Sequence, residues 1–265
     1  MIAPRTKQPL EDLPAGECHI WFDRAPNTLP PARVAAYEAL LAPDEMARYR
    51  TFRFERHRHL YLLTRGLVRN TLSRYTPVAP AQWCFAVASH GKPYIAEPTL
   101  PYGLSFNLSN TEGMVVCAVA RDVPVGVDVE NTDRIDDPLS IAADFFSPHE
   151  VGDLRALPNE LQRERFFAYW TLKESYIKAR GLGLAIPLDQ FSFLLSEDDD
   201  RIGLIVDARQ GEQSGVWQCA RIPVPAPHAM AIVIRRGDAP DFLLKMRDAA
   251  SPMALETTGE IEGAD

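Results

Sequence analysis

The chain has 265 residues, 46% of them hydrophobic and 24% charged, and its 28 basic and 36 acidic side chains leave a net charge of −8. That describes one large domain or two small ones, long enough to bury a core without disulfide or metal staples. No apolar run approaches the roughly 18 residues of a membrane span, the N-terminus lacks an apolar signal segment, and the acidic balance argues against general nucleic-acid binding, so a cytoplasmic protein with neither membrane nor nucleic-acid partner is expected.

Residues 1–16 and 248–265 lack periodicity and are expected to be poorly ordered tails. A strand is predicted over 18–22, helices over 31–41 and, as a broken stretch, over 44–75. Between Asp44 and Arg74 there are eight arginines against three acids, a local net of +5 that inverts the charge of the whole. Strands follow over 83–88, LSFNLSN, MVVCAVA and PVGVDVE, separated by the turn signals HGKP and NTEG. Ser147-Pro148-His149-Glu150 has the capping-box pattern that opens a helix, and a longer helix runs over 159–180 to a stop at Gly181. Strands resume over 190–195, 202–206, 216–222 and 230–235. This order is no regular β-α-β alternation, so an α+β fold with mainly antiparallel pairing is expected, in two similar halves meeting near residue 125. Cys18, Cys84, Cys117 and Cys219 are far apart, three of them in strand-like runs, and read as buried reduced thiols.

Two segments carry chemistry. In Gly126-Val127-Asp128-Val129-Glu130 the carboxylates at i and i+2 project from one strand face. Side-by-side acids repel unless a cation or a shared proton compensates, which makes them a candidate Mg²⁺ site, although the motif alone reads more readily as a solvated face of an edge strand. On the 159–180 helix, Phe166, Phe167, Trp170 and Ile177 form an apolar arc, and Glu174 falls inside it, about 40° from Trp170. A carboxylate among core aromatics is costly unless paired or coordinating, and an i,i+4 pair with Lys178 explains its tolerance but not its side of the helix. The HGKP turn and the FNLSNT strand end, each alone, read as ordinary loops.

Taken in order, HGKPY, FNLSN, VGVDVE, FSPHE and WTLKESYIKARGLG resemble the 4′-phosphopantetheinyl transferase superfamily of the Sfp type, over about residues 20–235. The resemblance implies a pseudo-two-fold α+β fold with an N-terminal, coenzyme A-binding half (17–125) and a C-terminal half (126–247) holding Mg²⁺ and the catalytic residues. Matched residue by residue, it makes Asp128, Glu130 and Glu174 the metal ligands. Lys178 becomes a phosphate-binding lysine, Lys92 and Pro93 the segment approaching the nucleotide, and Ser109 a further coenzyme contact. Where the family usually has His in FN-x-SH, this chain has Asn110, which can donate to phosphate but carries no charge. The Arg-rich stretch, with Arg48, Arg50 and Arg65 as candidates, would seat the polyanion.

The implied reaction transfers 4′-phosphopantetheine from coenzyme A to a serine of a fatty-acid, polyketide or peptide-synthetase carrier domain and releases 3′,5′-ADP. Glu174 or a water on the metal takes the serine proton, and Lys178 stabilises the leaving phosphate, with Asp128 completing the catalytic set. A monomer is expected rather than a trimer of small subunits. The rivals are a non-catalytic coenzyme A-binding or regulatory protein with the same fold, and a different Mg²⁺-dependent phosphoryl enzyme.

Overall fold

A computed structural model describes residues 10–196, 201–207 and 211–250. The strands are β1 (Glu17–Ala25), β2 (Cys84–Val87), β3 (Pro93–Glu97), β4 (Leu104–Thr111), β5 (Gly113–Arg121), β6 (Val125–Asn131), β7 (Phe191–Leu195), β8 (Ile202–Val206), β9 (Trp217–Arg221), β10 (His228–Arg235) and β11 (Leu243–Asp248). The helices are α1 (Pro31–Glu38), α2 (Pro43–Thr51), α3 (Glu55–Tyr75), α4 (Pro138–Phe145), α5 (Pro148–Ala156) and α6 (Asn159–Arg180).

Two sheets face one another, ordered β11-β1-β5-β4 and β6-β10-β9, and two hairpins, β2-β3 and β7-β8, flank them. All pairings are antiparallel except that of β1 with β11. The central strands are apolar on both faces, as strands covered twice must be. From β5, Val115, Cys117 and Val119 meet Leu63, Leu67 and Leu72 of α3, while Met114, Val116 and Ala118 meet the second sheet. From β10, Met230, Ile232 and Ile234 turn to that inter-sheet core, while Ala231 and Val233 meet Phe166, Leu172 and Tyr176 of α6. The layers therefore run helix, sheet, sheet, helix, the α+β architecture expected.

Local signals hold where they are strong. Ser147 and Glu150 form the capping box of α5, and α6 ends at Gly181 in the left-handed conformation (φ 67°). The broken stretch resolves into α2 and α3. Strands β3 and β11 and helix α4 carry no periodicity strong enough to predict them.

Of the expected tails, residues 1–9 and 251–265 lie outside the described residues. Residues 10–16 are seated instead: Leu13 is buried against the α3 core, the Glu11 amide donates to the Arg74 carbonyl, and the Glu11 carboxylate pairs with the Arg74 side chain. The C-terminal strand also crosses back, β11 running parallel to β1 at the edge of the N-terminal sheet. Cys18 and Cys117 are buried free thiols, but Cys219 is only half-buried, and Cys84, on a hairpin that packs on the core through Phe85 and Ile95, is exposed. No helix among the described residues is long and apolar enough to cross a membrane.

Candidate active site

Period-two alternation sends Val125, Val127 and Val129 of β6 into the inter-sheet core and Gly126, Asp128 and Glu130 to the other face. That face is not solvated, although β6 is an edge strand, because α6 lies on it. A Cβ at Gly126 would collide with the Ser175 carbonyl oxygen and the Ala179 amide nitrogen, so only glycine lets the helix backbone come this close. Asp128 is consequently 3% exposed.

The free edge of β6 is closed from the N-terminal sheet by side chains of β4. The Asn107 Oδ1 accepts from the Val127 amide at 2.9 Å, and the Thr111 Oγ1 accepts from the Asn131 amide at 3.1 Å. Between them the Ser109 hydroxyl donates to Asp128 Oδ1 at 2.8 Å. The alternation Asn-x-Ser-x-Thr thus substitutes side chains for a strand ladder and sets Ser109 beside Asp128. From α6, the Lys178 ammonium completes a triangle, donating to Asp128 Oδ1 at 2.6 Å and to Ser109 Oγ at 2.9 Å. The i,i+4 pairing of Glu174 with Lys178 is therefore not the one formed. Lys178 reaches across to β6 instead, where a buried charge offers more than a solvated one.

The remaining electrostatics are unfavourable without a further cation. Asp128 Oδ2 is buried with no hydrogen-bond partner. Burial, and then the Asp128 charge, push Glu130 up to about 7, against the pull of Arg134, Lys178 and the Trp170 indole. Burial and Asp128 likewise raise Glu174 above the usual carboxylate range. Three oxygen-donor carboxylates whose charges disfavour one another, one with an orphaned buried oxygen, suit a hard divalent cation. Among the described residues no group of three acidic, histidine or cysteine side chains is already gathered around one point. Lys178 takes one oxygen of the central carboxylate.

Glu174 and Lys178 line a cleft of about 280 Å³ together with His90, Gly91, Lys92, Pro93, Asn107 and Gly181. The HGKP turn thus reaches the helix, but Lys92 is not a free cation. Its ammonium donates to the carbonyls of Val125 and Ala179, both at 3.1 Å, and burial pushes it down to about 8. A lysine whose folded-state value lies below its ordinary 10.5 holds fewer protons than the unfolded chain between those limits. Stability should therefore climb as pH rises through that window. Chemical denaturation of wild type and Lys92→Met from pH 7 to 10 is expected to show that upward slope flattened in the variant, and equal slopes would refute it.

Asn110 is exposed, on the β4 face that carries Phe106 and Leu108 toward α3 rather than on the Ser109 face. Arg48 is exposed and stacks on Phe52, and Arg65 pairs with Glu45 at 3.6 Å. Arg69 is buried, bonded to Glu45 and to the carbonyls of Pro80 and Trp83. Part of the +5 is thus internal ion pairing. A second cleft, of about 400 Å³, is lined by Asn27, Arg56, His57, Glu112 and Arg134, and neither cleft includes Arg48 or Arg65. Arg134 donates to Thr111 Oγ1, which places this cleft on the Glu130 side of the triangle. Asn107, Gly126 and Arg134 escape sequence reasoning, because nothing local distinguishes an amide that caps a neighbouring sheet from any other strand-end Asn.

One buried and two half-buried carboxylates, set beside a fixed ammonium and between two clefts, are groups suited to phosphate-bearing ligands and a cation. Comparison with known proteins gives the class a family. The model of the 4′-phosphopantetheinyl transferase superfamily matches residues 124–233, and that of the 4′-phosphopantetheinyl transferase N-terminal region matches 31–122. The 4′-phosphopantetheinyl transferase HetI of Nostoc sp. is 38% identical over 68% of this chain and 75% of its own. The 4′-phosphopantetheinyl transferase Sfp of Bacillus subtilis is 36% identical over 61% and 70%, and a phosphopantetheinyl transferase of Thraustochytrium sp. is 33% identical over 76% and 73%. The chain belongs to the 4′-phosphopantetheinyl transferase superfamily, of the Sfp type, and is an enzyme that transfers the phosphopantetheinyl group.

Proposed function

We propose that the donor is coenzyme A and the acceptor a serine hydroxyl of a fatty-acid, polyketide or peptide-synthetase carrier domain. The products are the phosphopantetheinylated carrier and 3′,5′-ADP, and the reaction requires Mg²⁺. The observation that carries this reading is the unpartnered Asp128 Oδ2, flanked by two carboxylates with raised proton affinity and closed on one side by Lys178.

Asp128, Glu130 and Glu174 would hold Mg²⁺, which when bound neutralises pyrophosphate charge. Ser109 and Lys178 keep the Asp128 carboxylate in one orientation. Glu174, at the cleft wall, accepts the serine proton as the serine oxygen bonds to the phosphorus next to pantetheine and the bond to the leaving 3′,5′-ADP oxygen breaks. Lys178, a quarter exposed, faces the charge that develops on the leaving phosphate. The coenzyme contacts fall to Pro93 and His90 around the first cleft, and to Arg56, His57 and Arg134 around the second, in place of Arg48 and Arg65, while the buried Ser109 acts through its bonds to Asp128 and Lys178.

In this reading residues 17–125 supply most coenzyme contacts and 126–247 the metal and catalytic groups. Because both halves meet in one chain, a monomer suffices. Mass spectrometry of an apo carrier incubated with coenzyme A and Mg²⁺ tests it: a gain of one phosphopantetheine is expected, and no gain with any of the three carrier types would refute it.

Glu130 gives the metal step a pH dependence. Its value of about 7, against an ordinary 4.5, leaves it mostly protonated at pH 6 and ionised at pH 8. A metal must displace that proton, so the Mg²⁺ concentration giving half of the maximal thermal stabilisation should fall as pH rises from 6 to 8. Melting curves across a Mg²⁺ series at the two pH values measure this, and Glu130→Gln should reduce the difference, Glu174 being a second carboxylate with raised proton affinity.

A further inference from the structure

The helix motif Trp170-Thr171-Leu172-Lys173-Glu174-Ser175 contains a second lysine that the reaction does not use. Lys173 is 1% exposed and Glu150, its partner at 2.7 Å, is 0% exposed. The ammonium also donates to the carbonyls of Leu188 at 2.7 Å and Phe191 at 2.8 Å, and so spends all three of its protons. Glu150 is equally committed. Its Oε2 accepts from the Ser147 amide and hydroxyl, at 3.0 and 2.9 Å, and its Oε1 accepts from the Phe193 amide at 2.9 Å. One buried ion pair thus joins α6 to the start of α5, to the 188–191 segment and to β7.

We propose that the Lys173–Glu150 pair is a positioning device for the reaction: it fixes the rotation of α6 about its axis, so that Glu174 and Lys178 face Asp128. Lys173 and Glu174 are consecutive and lie about 100° apart on the helix, one anchored in the protein and the other at the cleft. Clamping the first sets the azimuth of the second. The opposite wall offers two other fixed points: Gly126 lets the backbone of α6 approach β6, and the Ser175 hydroxyl donates to the Ala231 carbonyl at 2.9 Å. These set the distance between helix and sheet, whereas Lys173, reaching to the far side, sets the rotation. Stability alone does not account for the pair, because an apolar pair of similar volume is often as stable as a buried ion pair. Removing one partner would strand the other charge, so only joint replacement separates position from charge burial.

The inference rests on the transfer reading and is tested with the full chain. The double variant Lys173→Met/Glu150→Leu is expected to melt close to wild type and, by calorimetry, to bind coenzyme A within about threefold. Its kcat for transfer is expected to fall about 10- to 100-fold, the scale of a misplacement of about 1 Å, with KM for the carrier little changed. The Mg²⁺ midpoint for thermal stabilisation is expected to rise at least threefold. Glu150→Gln, which keeps the side chain's shape but turns one accepting oxygen into a donating amide nitrogen and leaves Lys173 without its counter-charge, is the second variant and should shift kcat and the Mg²⁺ midpoint in the same directions. Wild-type kcat and Mg²⁺ midpoint in a folded double variant would overturn the proposal. If the double variant does not fold, unchanged values in Glu150→Gln overturn it in the same way. Absence of transfer by the wild type in the same assay would instead defeat the transfer reading.

Discussion

Asp128→Asn is expected to lower transfer by about 10²- to 10³-fold while leaving the fold intact, the scale of losing one preorganised charged group. The amide keeps an oxygen for Ser109 and Lys178 to donate to, so the hydrogen-bonded triangle survives and only the charge is lost. Lys178 also donates to the Val127 carbonyl at 3.3 Å and is a quarter exposed, so its ammonium is not stranded. Glu130→Ala and Glu174→Ala are expected to lose transfer similarly with unchanged circular dichroism, each removing a carboxylate beside Asp128 rather than a packing side chain. Asp128→Asn carries a second, independent consequence. Because the Asp128 charge is part of what lifts Glu130 to about 7, its removal should bring Glu130 back down toward 4.5. Carboxyl chemical shifts followed against pH would show it. An unmoved Glu130 would mean that burial alone lifts it, and near-normal transfer would remove Asp128 from the site.

Gly126→Ala is expected to have the largest effect on stability of any single methyl addition in the site. Overpacking a core commonly costs about 1 to 3 kcal/mol, and this position stands at the upper end because the obstacle is backbone of α6, which cannot rotate away as a side chain can. Either α6 or β6 must shift, and the shift separates Glu174 and Lys178 from Asp128. Melting temperature and transfer should therefore fall together. A variant that melts lower yet transfers at the wild-type rate would show that the helix-to-strand distance is not what the reaction needs. Gly152, whose Cβ would meet nothing, is the control, and Gly152→Ala should be neutral or slightly stabilising.

Some of this was legible in the chain and some was not. The strands of β5 and β6, the capping box of α5 and the Gly181 stop of α6 follow from local pattern, because a short continuous apolar run, period-two alternation, a Ser-x-x-Glu cap and a left-handed C-cap are each decided within a few residues. The misplaced polarity of Glu174 on the apolar arc was likewise visible, since a helix's faces are set by its own repeat. What the chain concealed are the contacts made between segments distant in sequence. Lys178 appeared poised for Glu174, four residues away, yet bonds Asp128, fifty residues away, because burial makes the cross-element pair the stronger one. Lys92 and the arginines near residue 65 looked like free cations; the fold spends Lys92 on two carbonyls and Arg65 and Arg69 on Glu45. Charge composition belongs to the sequence, but which charges remain available to a ligand depends on which partners folding brings within reach. In this protein that was decided by the approach of α6 to β6 across Gly126, and by the side chains of β4 that close the edge of β6.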